Sequence, residues 1–394
     1  MKRASFDIVL RRGAADSVRR GHPWIFREAV RNMPANAAPG DQAVVRSEEG
    51  ALIGHAIVDP KSPIVARVWT LGSREIDHAL FSERIAVATA LRAKLFSTDA
   101  TTAYRLLNGE GDRAPGFVID RYAHVGVLRV DGEAALARRD EFAASLWPVL
   151  QNIGVMSLAF RGRSDGKSGG ELEALFGDKP PATIEVREHG VPFRVDLEKG
   201  QKTGAFLDQR ENRRRVRALS KGERVLNLFS YAGGFSMSAA LGGATHVTSV
   251  DVAAAAHATA QASFKLAGLD PSAHSFAAAD AFAFLTKAKA RGEKWGLIIS
   301  DPPSFAPNEK SRERALSAYR SLHRACVAVL EPGGIFCASS CSSHVNAEDF
   351  LSTLDDEALQ SSSLRLTEMH GQPADHPTLP NWPEGRYLKF AVLR

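Results

Sequence analysis

Apolar and polar positions change their spacing several times along this chain, and each change marks a different kind of element. Up to residue 72, short alternating or wholly apolar runs at 6–10, 41–46, 52–58 and 64–69 are separated by turn-forming text such as PANAAPGD, SEEG and DPKSP. That pattern predicts a small β-rich module. From 77 to 96 the apolar residues Leu80, Ile85, Val87, Ala88, Leu91 and Leu95 recur at helical spacing. Strand text returns at 116–119, 125–130 and 155–160, with a helix predicted over 133–150. Two short β runs within 184–195, joined by Glu188-His189-Gly190, predict a hairpin. After Asp208 the rhythm becomes strand, turn, helix, and it repeats, with strands predicted at 224–229, 246–250, 274–278, 297–300 and 334–339. Strands alternating with helices imply an α/β domain with a doubly wound parallel sheet. The chain is therefore read as three domains: a β-rich 1–72, a central α+β unit 73–197, and a doubly wound 198–394.

Composition narrows the class without naming a chemistry. The 394 residues carry 50 basic against 45 acidic side chains, a net charge of +5, which permits nucleic-acid binding but does not demand it. A hydrophobic share of 44% with 24% charged residues excludes wholesale disorder. No apolar run approaches the roughly 18 residues of a membrane span, and the N-terminus lacks the apolar stretch of a secretion signal. Cys326, Cys337 and Cys341 are too few for a disulfide framework and suggest a reducing cytosol, so a cytoplasmic location is expected. They lack the paired C-x-x-C spacing of a zinc site, and no metal is expected.

Asn227, Asp251, Asp280, Asp301 and Cys341 all fall at predicted strand C-termini. In doubly wound sheets ligands bind outside those ends, near the point where strand order reverses. The first turn, Asn227-Leu-Phe-Ser-Tyr-Ala-Gly-Gly-Phe, carries Gly233 and Gly234, which let the backbone turn sharply and come close to a ligand. It matches neither the G-x-G-x-x-G of dinucleotide enzymes nor the lysine-bearing phosphate loop, so a pyrophosphate, and with it a nicotinamide oxidoreductase, is disfavoured. A sulfonium cofactor with an amino-acid tail suits a carboxylate-rimmed site better. Asp251 would accept hydrogen bonds from ribose hydroxyls and Asp280 one from an adenine amine. The plainer alternative is that these aspartates only cap the helices that follow them.

The same text resembles a known family. Leu226-Asn227-Leu228-Phe229-Ser230-Tyr231-Ala232-Gly233-Gly234-Phe235, Val250-Asp251 and Asp301-Pro302-Pro303-Ser304-Phe305 are similar to signature segments of class I S-adenosylmethionine-dependent methyltransferases acting on large-subunit ribosomal RNA. Gly200-Gln201-Lys202-Thr203-Gly204-Ala205-Phe206-Leu207-Asp208-Gln209-Arg210 resembles the segment preceding the catalytic domain in the branch that makes 5-methylcytosine. Asn108-Gly109-Glu110-Gly111-Asp112 and Ile119-Asp120-Arg121-Tyr122 resemble that branch's central domain, and Gly21-His22-Pro23-Trp24-Ile25-Phe26 its N-terminal PUA module. The resemblance implies a Rossmann-like methyltransferase domain behind a PUA-like domain, with S-adenosylmethionine as cofactor and 23S ribosomal RNA as partner. A homodimer is compatible with it. The implied cofactor residues are Phe206, Asp208, Gln209, Asn227, Phe229, Tyr231, Gly233, Asp251, Asp280 and Asp301.

Carbon 5 of cytosine is a poor nucleophile, and covalent attack at carbon 6 by a thiolate would activate it. Cys341 suits this role: it ends a strand in the polar run Ser339-Ser340-Cys341-Ser342-Ser343-His344, and in the family it resembles the serine-cysteine-serine segment carries the nucleophile. Cys326 lies in an apolar helical stretch and Cys337 within a strand, so both read as buried small hydrophobes. Asp301, stiffened by Pro302 and Pro303, would orient the base near N3 and the exocyclic amine. Ser304 stands where many RNA cytosine-5 enzymes carry a second cysteine, so the group that removes the carbon-5 proton is unidentified; His344 is a candidate. Arg210, Arg213, Arg214 and Arg217, with Arg215 beside them, place a basic stripe on one helical face that could follow a phosphate backbone, though a charge run standing alone is more often only a solvated face. Lys2, Arg3, Arg11, Arg12, Arg19 and Arg20 add basic text near the N-terminus, and Trp24, Phe26 and Tyr122 are aromatic candidates for base stacking or for core. Two rivals keep much of this text: methylation of another base atom such as guanine N7, which needs no thiol, and a non-catalytic RNA-binding or ribosome-assembly factor.

Overall fold

A computed structural model of the chain describes residues 5–96, 100–162, 170–306, 308–355, 357–362 and 364–394. Lys2, Arg3 and most of the loop read at 164–170 lie outside the described residues. The chain divides into two compact units: 1–186 with 196–207 and 374–385, and 187–195 with 208–373 and 386–394.

The first unit holds two five-stranded sheets. In the N-terminal one Ser5–Val9 runs parallel to Gln42–Arg46, which continues through antiparallel Leu52–Val58 and Ile64–Leu71 to the short edge strand Trp24–Phe26. Its core is Ile8, Val18, Ile25, Val45, Val58 and their neighbours. The second sheet runs, in spatial order, Leu172–Gly177, Ser157–Arg161, Val125–Val130, Phe117–Tyr122 and Ala103–Asn108. Helix His78–Leu95, whose first turn is capped by the Asp77 carboxylate accepting from the Leu80 amide, packs with Arg139–Asn152 on that sheet. Phe142 stacks on Phe117 with ring centroids 3.9 Å apart, and Trp69 from the first sheet joins the same core.

The segment Ala374–Gly385 returns to this unit from late in the sequence. Asp375 is fully buried: its carboxylate accepts from the Arg105 amide and its carbonyl from Arg92. Trp382 packs edge-on against Trp24 at 5.2 Å. Thr203 ties the GQKTG text down, donating to Asp120 at 2.5 Å and sharing a hydrogen bond with the Tyr122 hydroxyl, which also accepts from the Ala205 amide.

The second unit is built on a seven-stranded sheet. Its strands are β1 (Arg224–Leu228), β2 (His246–Asp251), β3 (Ser275–Ala278), β4 (Trp295–Ser300), β5 (Leu330–Ser340), β6 (Leu366–His370) and β7 (Lys389–Leu393). The spatial order is 3-2-1-4-5-7-6, parallel except for β7, which pairs antiparallel with both β5 and β6. Strand order reverses between β1 and β4, which opens the crevice where a ligand is expected. Helices cover both faces: α1 (Arg210–Leu219), α2 (Gly234–Leu241), α3 (Ala254–Leu266), α4 (Ala281–Ala290), α5 (Arg312–Val327), α6 (Ala347–Ser352) and α7 (Glu357–Ser362). Both faces being covered explains why β4 is buried at every residue and reads as a continuous apolar run rather than an alternation. The predicted hairpin is present as Thr183–Glu188 and Val191–Asp196, with His189 at φ 48° and Gly190 at φ 80°, the pair of positive angles that a two-residue primed turn requires. Among the described residues no helix is long and apolar enough to cross a membrane.

Candidate active site

The turn from β1 to α2 is the most strained backbone in the second unit. Phe229 (φ 57°), Tyr231 (φ 45°) and Gly233 (φ 75°) are all left-handed, and for the two non-glycine residues this costs on the order of 1–3 kcal/mol each. At Gly233 a Cβ would lie 2.7 Å from the Ala260 Cβ on α3, so only glycine lets that helix close on the turn. The strain is held by Ser230 N–H donating to the Val250 carbonyl and Tyr231 N–H donating to Asp251 Oδ2 at 2.8 Å. Asp251 also accepts from the Ala253 amide at 2.9 Å. It therefore shapes both turns at the crevice and still has lone pairs to offer.

Asn227 is buried, with its amide nitrogen on Ser236 Oγ at 2.8 Å, and Ser249 donates to the same oxygen. Its carbonyl oxygen and the Ser230 hydroxyl are buried without partners. Asp280 is the N-cap of α4, accepting from the Ala283 amide, and it is exposed. The capping alternative thus describes real contacts of Asp251 and Asp280. Each carboxylate keeps free acceptor positions, and among the described residues neither forms an ion pair.

At the end of β4, Asp301 Oδ1 accepts from Gln209 Nε2 at 3.0 Å, and the same nitrogen reaches Ser339 Oγ at 3.0 Å. Gln209 Oε1 accepts from Asn212 at 2.6 Å, and Asp208 is buried with Oδ2 accepting from the Tyr387 hydroxyl. Phe206, the other residue read from that segment, belongs to the first unit, where the Lys202 ammonium lies 4.4 Å over its ring.

Cys341 follows β5 and is half-buried, with its sulfur 3.9 Å from the Pro302 carbonyl oxygen beside the Asp301 turn. Cys326 and Cys337 are fully buried, and burial pushes both thiols well up. The serines flanking Cys341 are pinned from one side: the Tyr319 hydroxyl donates to Ser340 Oγ and shares a hydrogen bond with Ser342 Oγ, which also meets Ser304 Oγ. Lys389, at the start of β7 and opposite Ser340 in register, donates to the Ser342 carbonyl at 2.6 Å and the Tyr387 carbonyl at 2.7 Å. His344 pairs with Glu309 at 3.3 Å.

Sequence reasoning missed Tyr319 and Lys389. A lysine opening the apolar text Phe-Ala-Val-Leu was the one visible sign of the second, and Tyr319 sits in an ordinary helix.

The basic text divides on inspection. Arg210 is buried against Glu211, and Arg213 makes a two-pronged pair with Glu188 at 2.6 and 2.8 Å. His189, with Arg210 and Arg214, holds the Glu211 carboxyl at about 2. Only Arg214 and Arg217 of the predicted four face solvent; Arg215 is half-buried beside Asn212. Trp24 is half-buried, donating to Glu110 at 2.7 Å, and Tyr122 is fully buried, so Tyr122 is core and not a stacking platform.

A reversed 3-2-1-4-5-7-6 sheet with a strained glycine turn and carboxylates at its strand ends defines a Rossmann-like domain. Residues 138–390 match the model of the S-adenosylmethionine-dependent methyltransferase family, and 8–71 match a PUA-like domain. The chain is 37% identical over 395 residues to a protein of Klebsiella pneumoniae (strain 342), covering 98% of each, and 36% identical over 398 residues to one of Escherichia coli O127:H6, covering 99% of each. Both relatives are named ribosomal RNA large subunit methyltransferase I. A crystal structure of a methyltransferase complexed with SAH superposes with a TM-score of 0.88 at 25% identity, covering 98% of this chain and 99% of that one. The chain belongs to the S-adenosylmethionine-dependent methyltransferase family, on the branch that holds those relatives. S-adenosylmethionine is its cofactor, and the site fits it: unpaired carboxylates at Asp251 and Asp280 suit hydroxyl and amine donors, and the orphaned buried Asn227 oxygen suits an ammonium.

Proposed function

We propose that this chain methylates carbon 5 of a cytosine in large-subunit ribosomal RNA through a bond between Cys341 Sγ and cytosine carbon 6. The observation that supports this best is that the one cysteine not fully buried lies beside the Asp301–Pro302 turn, at the crevice end of the sheet. The names of the full-length relatives support the RNA substrate.

The Cys341 thiol loses its proton to solvent, and the thiolate pair forms the C6–S bond. The ring π pair moves toward carbon 5 and the N3 side, where Asp301, oriented by Gln209, holds the base. S-adenosylmethionine supplies the methyl group. Solvent water takes the carbon-5 proton, the C5–H pair re-forms the C5=C6 bond, and the C6–S bond breaks with its pair returning to sulfur. Asp251, Asp280, Asn227 and the 229–233 turn hold the cofactor in this scheme. Asp208 and Gln209 support the same crevice from α1's approach, and the exposed Arg214 and Arg217 are the members of the basic stripe available to RNA. Because the base must leave its stack to reach a thiol, single-stranded or opened RNA is the substrate form.

Tritium release from carbon-5-labelled cytidine in ribosomal RNA tests the scheme. Cys341→Ala should abolish release while leaving S-adenosylmethionine binding within twofold. Wild-type turnover in that variant would instead point to an atom that needs no thiol, such as guanine N7. Absence of cofactor binding in the wild type would leave an assembly factor.

A further inference from the structure

A thiol that must act as a nucleophile near neutral pH needs a nearby positive charge, because an ordinary cysteine is mostly protonated there. The polar groups around the Cys341 turn are mainly neutral or acidic. Asp301 approaches from the end of β4, the Tyr319 phenol from α5, and Asp349, already paired with Arg312, from α6. His344 in the turn itself is paired with Glu309.

Among the described residues, Lys389 is the buried cation bonded to this turn. It is only 3% exposed, and its ammonium is bonded to two backbone carbonyls, Ser342 and Tyr387, with no carboxylate partner among the described residues. Burying an ammonium on neutral acceptors is costly unless another charge compensates it. One of those carbonyls belongs to the residue directly after Cys341. The β5–β7 register, with Ser340 opposite Lys389, fixes the lysine stem under that turn.

We propose that Lys389 is the cationic positioning residue of the site, holding the Ser340–Ser342 turn by its carbonyl and stabilising Cys341 as the thiolate. This deepens the nucleophile reading above and rests on it. Lys389 keeps its proton throughout; the thiol proton goes to solvent. Burial lowers the lysine to about 8, with Cys341 and Asp349 pulling it back up, so the charge is present at neutral pH and is lost as pH rises past that value.

Iodoacetamide alkylation followed across pH reads the thiol directly, because Cys326 and Cys337 are fully buried and react slowly. Wild-type Cys341 should titrate below the ordinary value of about 8.5. Lys389→Met should raise that midpoint by about one unit, slowing alkylation about tenfold at pH 7 and shifting the pH profile of tritium release with it. Lys389→Arg should stay close to wild type. A wild-type midpoint at or above the ordinary value overturns the proposal without any variant, which covers a Lys389→Met chain that fails to fold. An unchanged midpoint in a folded Lys389→Met overturns it too, even if turnover falls, since a mere strut would behave that way. If Cys341→Ala retains tritium release while the lysine still governs the thiol midpoint, the nucleophile reading fails and the charge coupling stands.

Discussion

At Gln209 a single buried amide serves three partners: it donates to Asp301 and to Ser339 and accepts from Asn212. Gln209→Leu keeps the shape but strands all three, and each lost partner in a buried network costs on the order of 1 kcal/mol or more. We expect a loss of about 2–4 kcal/mol in urea unfolding, with turnover falling further than cofactor affinity, because Asp301 loses its orientation. Calorimetric titration beside a rate assay separates the two. At this scale the sequence was partly legible. The strand-end positions of Asp251, Asp301 and Cys341 could be read, because strand ends are legible in text. Gln209 stood in a motif, yet its bond to Ser339 spans 130 residues. No local spacing encodes such a link, and the same holds for Tyr319 and Lys389.

Among the elements, α5 carries a feature with a definite pH signature. His323 is fully buried among Tyr319, Phe336 and Phe350, with Nδ1 on the Thr353 carbonyl and Nε2 without a partner. Burial lowers its pKa from 6.5 to about 4. The folded state therefore refuses a proton that the unfolded chain accepts between those values, so stability is unaffected above pH 6.5 and falls as pH drops through the window. A gap of about 2.5 units amounts to about 3 kcal/mol. The unfolding free energy of His323→Gln should lose correspondingly less between pH 6.5 and 4, as measured by denaturant titration at each pH. Element text was legible where period and length agreed: the parallel strands, the 78–95 helix and the 183–196 hairpin. It failed at Trp24–Phe26, three residues long, and at the start of β5, where Glu331-Pro332-Gly333-Gly334 reads as a turn but is carried inside the strand. The arginine stripe misled for a different reason. Helical spacing gives a shared face but cannot say whether that face meets water, and Glu188 arrives from the hairpin to take Arg213.

For the molecule as a whole, the backbone crosses between two compact units several times. Nothing in the text around 374–385 marks it as belonging elsewhere; its polar and proline-rich character reads as a loop, and only tertiary contacts reveal its anchor. Asp375 is the centre of that anchor. Asp375→Ala removes the acceptor of the Arg105 amide and the neighbour of His376, and should cost about 1–3 kcal/mol of stability. Affinity for S-adenosylmethionine should hold within a factor of two, because the strand-end carboxylates belong to the other unit. Equal losses in both would mean that the anchor does more than steady its own unit.

The backbone passes from one unit to the other after residues 186, 195, 207, 373 and 385. A protein laced in this way has no scissor line: any single cut leaves one half missing a piece that the other half carries. An engineer seeking a portable transfer module would have to graft 187–195 onto its front and bridge the hole left by 374–385, and would lose the anchor for Arg92 and Trp24 from the discarded part.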